Sequence, residues 1–414
     1  MSLEPTTNFK DSNGVDLGKK LVTKDYLISV YPEIGDKIGI PPELWGWGTA
    51  LGGALGNAES SVHVSTPVTT FTGGTNWKQT STARQLSAAI KTDGTLWTWG
   101  LSSARGELGN ANTTSRSTPV TTFAGGNDWK QVSCGEYVTA AIKTDGTLWS
   151  WGNGSRGQLG NASVTTNNST PVTTFAGGND WKQVSATDLC VAAIKTDGTL
   201  WTWGLATGGR LGNGIVGIFI YISTPITTFA GGNNWKQVSC GEGHTAAIKT
   251  DGTLWGWGFG SSGRLGEGTV GALVYISTPV TTFAGGNDWK QVECGSSHTA
   301  AIKTDGTLWT WGLGSYGRLG NASTTEVVST PVTTFAGGTN WKQVSGGAFN
   351  TAAIKTDGTL WTWGSGFYGR LGNASTTQVV STPVTTFAGG TNWKQVSGGY
   401  YNSTAIKSVD FTSF

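Results

Sequence analysis

Residues 235–258 read WKQVSCGEGHTAAIKTDGTLWGWG, and residues 277–283 complete the same unit with STPVTTF. Four short runs stand out: WKQVS, TAAIK, TLWGWG and STPVTTF. The first three are rich in β-branched and aromatic residues and are bounded by Gly or Asp, the pattern of short strands. Between the second and third lies TDG, a hairpin turn in which Gly252 supplies the left-handed backbone position. The fourth run carries Pro279 near its start. Proline cannot donate to a ladder, so this run reads as an edge strand. The unit is therefore four antiparallel strands.

Working outward, the unit recurs. The second Trp of each WxWG falls at Trp47, Trp99, Trp151, Trp203, Trp257, Trp311 and Trp363, a spacing of 52 or 54 residues. The Trp of each WKQ falls at Trp77, Trp129, Trp181, Trp235, Trp289, Trp341 and Trp393. With the first Trp of each WxWG, these slots account for all 21 tryptophans. Four-stranded antiparallel units repeated at this period are propeller blades. No segment of the repeats has a 3.6-residue apolar period, which excludes a helical solenoid. The expected fold is all-β: a seven-bladed β-propeller over residues 43–414, behind a short N-terminal extension over residues 1–42.

The ends of the repeat array complement each other. The first period starts at a third strand, LWGWG at 44–48, and the last stops at a second strand, TAIK at 404–407. One blade built from both ends would latch the ring and leave no open edge. How the strands divide between blades is left open at this level.

Composition narrows the function classes. Charged residues make up 13% of the chain, against about 25% in typical domains. Net charge is only +2, with no basic tail or acidic block, so neither nucleic acid nor an anionic membrane is expected as a partner. No 18-residue apolar run implies membrane insertion, and residues 1–14 lack the apolar region of a secretory signal. Cys134, Cys190, Cys240 and Cys294 show no CxxC spacing. They read as reduced structural thiols, and no metal or cofactor is expected. In the extension, residues 19–31 read as a helix stopped by Pro32. That segment is either an anchor docking the ring on a larger assembly or a helix resting on its flank.

The seven copies differ mainly in two places. One follows WKQVS, for example Ala83-Arg84-Gln85-Leu86, Ala186-Thr187-Asp188-Leu189 and Gly399-Tyr400-Tyr401-Asn402; the other follows WxWG and includes the GRLGN loop. In an up-and-down blade alternate connections share a face, so both variable segments fall on one face and both uniform ones on the other. Binding residues on loops above a rigid frame fit such an arrangement. The candidate binding face comprises Tyr316, Arg318, Phe349, Asn350, Phe367, Tyr368, Arg370, Tyr400, Tyr401 and Asn402, a Tyr/Asn/Arg mixture like that of paratopes. A second candidate contact comes from two longer apolar loops: Ile218, Phe219, Ile220 and Tyr221, with Leu273, Val274 and Tyr275. Exposed, they suggest contact with another chain; packed together, they form a satellite core.

Catalytic signals are weak. His244 and His298 occupy one slot of a GxxHT motif, where a structural hydrogen bond is the simpler role. Asp93, Asp145, Asp197, Asp251, Asp305 and Asp357 repeat around the ring in TDG turns, so they cannot form a clustered acid pair. No phosphate loop or nucleophile elbow is present.

The elements CGxxHT, DGxLWxWG and GxLG in residues 238–268 resemble a repeat of the regulator of chromosome condensation family. The likeness recurs seven times over residues 44–407 and implies that family's seven-bladed propeller. The family's guanine-nucleotide exchange activity depends on an inserted wedge and its chromatin binding on a basic tail, neither of which this chain shows. Its ultraviolet photoreception uses Trp in GWRHT, where this chain has GEGHT and GSSHT. Residues 16–36 and the uniform repeats also resemble propeller proteins of marine tailed bacteriophages, which implies a virion protein. The leading expectation is a non-enzymatic protein- or glycan-binding propeller on a phage particle, joined to other virion proteins through residues 1–42. The alternatives are a soluble regulator or inhibitor of one protein partner in the bacterial cytoplasm, and a polysaccharide-degrading propeller.

Overall fold

The computed structural model describes residues 42–70, 75–269 and 274–408. The proposed anchor helix at 19–31 and Leu273 lie outside them. The described chain forms seven four-stranded antiparallel sheets, each in simple up-and-down order. Six of them are continuous in sequence. Blade 1 consists of Trp77–Thr82, Leu86–Lys91, Leu96–Gly100 and Arg116–Thr121. Blades 2 to 6 repeat it over residues 129–173, 181–227, 235–281, 289–333 and 341–385.

Blade 7 joins the two ends. Its inner pair, Trp393–Gly398 and Asn402–Lys407, comes from the C-terminal side. Its outer pair, Glu43–Thr49 and His63–Thr69, comes from the N-terminal side. Six consecutive residues, Glu43 to Gly48, pair with Lys407 to Asn402. The strands thus divide two and two, and the latch is a full-length ladder.

The expected edge role of the proline strand holds: it lies outermost in every sheet. The WKQ strand lies innermost and lines an axial channel. Between blades, the tryptophans replace an aliphatic core. Each WKQ Trp packs edge to face against both Trp of its own WxW, with ring centres about 6 Å apart. By area, burying one such ring contributes up to about 4–6 kcal/mol.

Two closed hydrogen-bond circuits register the blades. In the first, each WKQ glutamine caps one residue of the next inner strand. Gln131 Nε2 donates to Val184 O at 3.1 Å, and Val184 N donates to Gln131 Oε1 at 3.0 Å. The circuit ends with Gln395 doing the same for Thr80. In the second, the buried Trp of each WxWG donates its indole N–H to a loop carbonyl of the preceding blade, as Trp257 does to Arg210 O at 3.0 Å. Trp47 closes this circuit on Arg370 O at 2.8 Å.

Candidate functional site

The two variable segments meet on one face. The GRLGN arginine of one blade reaches the variable loop of the next: Arg210 Nη1 to Glu242 O, Arg264 to Ser296 O, Arg318 to Ala348 O and Arg370 to Tyr400 O, all at 2.8–3.1 Å. On the opposite face the uniform segments touch, with Trp129 N donating to Gly94 O at 3.0 Å. The TDG aspartates are consumed by their own turns. Asp251 Oδ1 accepts from Thr253 N and Oγ1, which holds its carboxyl below the ordinary range.

On the variable face, the aromatic residues form one continuous ribbon across blades 5, 6 and 7. Ring-centre distances run Tyr316–Phe349 5.8 Å, Phe349–Tyr400 5.0 Å, Tyr400–Tyr401 4.4 Å and Tyr401–Tyr368 5.6 Å. His63 extends it at 4.8 Å from Tyr368. Tyr316, Phe367 and Tyr368 are exposed, while Phe349, Tyr400 and Tyr401 are half-buried.

Four candidates take different places from those expected. Asn350 and Asn402 are fully buried, so they are not surface contacts. They open the second strands of blades 6 and 7, a slot whose side chain points across to the next blade. Asn402, oriented to satisfy both ends of its amide, accepts from Thr82 Oγ1 at 2.9 Å and donates to Ala83 O at 3.0 Å. Arg318 and Arg370 are each 2% exposed. They lie beneath the ribbon: the Arg370 guanidinium sits 5.3–5.6 Å from the Phe349, Tyr368 and Tyr401 rings. Burial lowers both arginines to about 10, so they remain cationic at neutral pH. They support the aromatic surface rather than form it.

An acidic arc faces the ribbon across the channel mouth. Glu136, Asp188 and Glu242, from blades 2, 3 and 4, line a cavity of about 140 Å³ with backbone from all seven blades. Burial, then repulsion from Glu136, raises the Asp188 and Glu242 carboxyls. Arg84 joins the two halves. It pairs with Glu136, and it also lies 5.4 Å and 5.6 Å from the Tyr400 and Tyr401 ring centres.

Three features escaped the sequence reading. The slot that holds His244 and His298 holds Cys190 in blade 3, because the variable loop there is Thr187-Asp188-Leu189, one residue later than expected. The inner strand is not uniform either. At six positions a Ser hydroxyl accepts from the next blade's backbone, as Ser133 Oγ does from Ala186 N at 2.9 Å; blade 5 has Glu293 instead. Finally, the phenylalanines that follow the proline strands of blades 1 to 6, Phe123, Phe175, Phe229, Phe283, Phe335 and Phe387, are 69–73% exposed. Their equivalent spacing was the available signal.

His244 and His298 have the structural role expected. Each is buried, with Nε2 at 2.9 Å from Thr299 Oγ1 and 2.8 Å from Thr351 Oγ1, respectively. Of the apolar loops, Ile218 and Phe219 are 76% and 75% exposed, and Ile220, Tyr221 and Tyr275 are also exposed, while Val274 is partly covered. Tyr275 stacks on Phe259 at 5.4 Å. No helix among the described residues is long and apolar enough to cross a membrane.

Comparison with known proteins identifies this architecture. The RCC1-like domain family matches residues 131–411, and the RCC1 repeat matches residues 93–142. The chain belongs to the RCC1-like family. Among its relatives, the ultraviolet-B receptor UVR8 of Arabidopsis thaliana is 31% identical over 280 residues, 67% of this chain and 61% of that protein. The human E3 ubiquitin-protein ligase HERC2 is 30% identical over 291 residues, 69% of this chain but 6% of the ligase. The chain thus spans less than two thirds of these relatives' own length.

Two solved structures share the RCC1-like fold at low identity. Human WBSCR16 superposes with a TM-score of 0.74 at 19% identity, covering 88% of this chain and 98% of that one. Prp20p of Saccharomyces cerevisiae gives 0.77 at 18%, covering 90% and 93%.

Proposed function

We propose that this chain is a non-enzymatic binding propeller whose aromatic ribbon engages a protein partner. The observation that carries this reading is the ribbon itself: six aromatic rings in contact, raised on buried arginines, at the edge of an acidic mouth. Large rigid rings lose little side-chain entropy on binding and dominate interface energetics. A protein ligand is favoured over a glycan because the ribbon's rings pack edge to face on one another and on guanidinium groups, which leaves few flat faces for sugar stacking. One relative of the fold points the same way: Prp20p binds Gsp1p and histones, and Kap60 binds it as well.

A non-enzymatic role is supported by the fate of the polar candidates. Both motif histidines are buried, and the repeated aspartates are committed to turns. The finer reading is a virion-associated protein held through residues 1–42, and it is supported by the phage resemblance of residues 16–36.

Affinity capture of candidate partners from host cells and particles tests the binding site, using the chain and its Tyr368→Ala/Tyr400→Ala/Tyr401→Ala variant. A partner retained by the parent and lost by the folded variant supports the ribbon; equal retention refutes it. Deleting residues 1–40 tests the anchor: particle association that survives the deletion excludes it.

A further inference from the structure

At four successive blade junctions, from blade 7 round to blade 4, the first residue of one second strand meets the last residue of the next inner strand. The hydrogen bond from Thr82 Oγ1 to the Asn402 amide oxygen displays this contact at the junction of blades 7 and 1. Leu86 and Cys134 share a packed cluster at the next junction, and Val138 and Ala186 at the one after. At the junction of blades 3 and 4 the same two slots hold Cys190 and Cys240, again within one cluster. Both thiols are free. They share one packed cluster, and each perturbs the other's titration. Cys134 shares its cluster with Leu86, and by the same correspondence of strand positions the residue opposite Cys294 is His244, not a cysteine.

We propose that Cys190 and Cys240 are an oxidation site, where a small peroxide entering the channel mouth converts the two thiols to a disulfide that staples blade 3 to blade 4. The chemistry balances with one peroxide. Both S–H bonds and the O–O bond break, one S–S bond forms, the sulfurs lose two electrons, and these with the two protons yield two waters. Access comes from above, because Cys240 and Thr187 line the mouth cavity. Activation comes from the surroundings. The neighbouring Cys240 draws the Cys190 thiol below its ordinary range, with the Arg210 guanidinium adding to the effect, and a thiolate is the reactive form. Burial pushes Cys134 up to about 12 against the pull of Ser81 and Thr139, and Cys294 is raised as well.

Tryptic mapping after hydrogen peroxide treatment of the native chain is the test. Each cysteine lies in its own peptide, and Cys190 and Cys240 lie in 183–195 and 237–249. The expected product is a link between those two peptides, with Cys134 and Cys294 still open to alkylation after denaturation. Cys190→Val and Cys240→Ala install the residues that the same slots carry as Val138 and Ala186, and each should abolish the link. If four thiols remain after peroxide, if Cys240 instead joins Cys294, or if Cys190 is oxidised without pairing, the proposal is wrong. The parent map decides these outcomes even if a variant fails to fold.

Discussion

Trp393 and Trp45 clasp the ring, with centres 6.1 Å apart and planes at 69°, one from each end of the propeller. Trp47 lies 6.4 Å from Trp393 on its other side. In blades 1 to 6 the equivalent Trp triad is held by one continuous segment of chain. In blade 7 it also holds the two ends together.

This difference makes Trp393→Ala more damaging than Trp181→Ala. Either change removes a buried indole and costs about 3–5 kcal/mol locally. Only Trp393→Ala also weakens the ladder between Glu43–Thr49 and Asn402–Lys407. The expected result is a lower melting temperature than for Trp181→Ala. Hydrogen exchange should accelerate first in those two strands, whereas Trp181→Ala should leave them protected.

Glu293 supplies a pH dependence. Burial pushes its carboxyl up to about 7 from 4.5, although Gln291 and Ser239 bonds pull it down. The unfolded chain loses this proton near pH 4.5 and the folded chain only near 7. Stability is therefore lost as pH rises through that window, by about 3 kcal/mol in all. Glu293→Ser restores the residue found at the six equivalent positions. Its melting temperature should match the parent's at pH 4 and exceed it at pH 8. A constant difference between the two pH values would rule out the titration.

The fold was legible because its determinants are local and repeated. Trp129, Gly146 and Pro171 each impose one strand or turn, and seven copies leave one closed architecture. The site was legible only in outline. Tyr400 and Asn402 sit in one variable segment, and no periodicity distinguishes the ring that faces out from the amide that points across a blade junction. Arg370 looked like a surface contact because burying a cation requires a roof of aromatic rings contributed by two other loops. Glu293 was hidden by its setting, a single departure inside a strand whose other copies agree.

The buried histidines act on the opposite side of neutrality. Burial first, then the neighbouring Arg264, holds His244 well below 6.5, and His298 is lowered by burial and Arg318. Below pH 6.5 the unfolded chain takes up protons that the folded chain refuses. Each histidine then costs about 1.4 kcal/mol per pH step until its folded value is reached. Asparagine fills the same slot as Asn350 and Asn402, so His244→Asn/His298→Asn should keep the fold. Melting curves between pH 7.5 and 5 should separate progressively, with the parent falling further below the double variant at each step toward acid.

Arg370 links the frame to the ribbon. Its Nε donates to Phe367 O and its Nη1 to Tyr400 O, both at 2.9 Å, while its plane lies near three aromatic rings. Lysine would keep the charge and lose both the fork geometry and the flat stacking surface. Arg370→Lys should therefore resemble Arg370→Ala, each costing about 1–3 kcal/mol for the buried carbonyls left without a charged donor. The blade 3 equivalent, Arg210, bonds Thr207 O and Glu242 O in the same way, and no aromatic ring among the described residues lies over it. Arg210→Lys should give a similar drop in melting temperature. Partner affinity should fall only for Arg370→Lys, because only there does the guanidinium hold Tyr368, Tyr400 and Tyr401 in one surface. Equal affinity loss from both variants would show that the ribbon's geometry does not depend on Arg370.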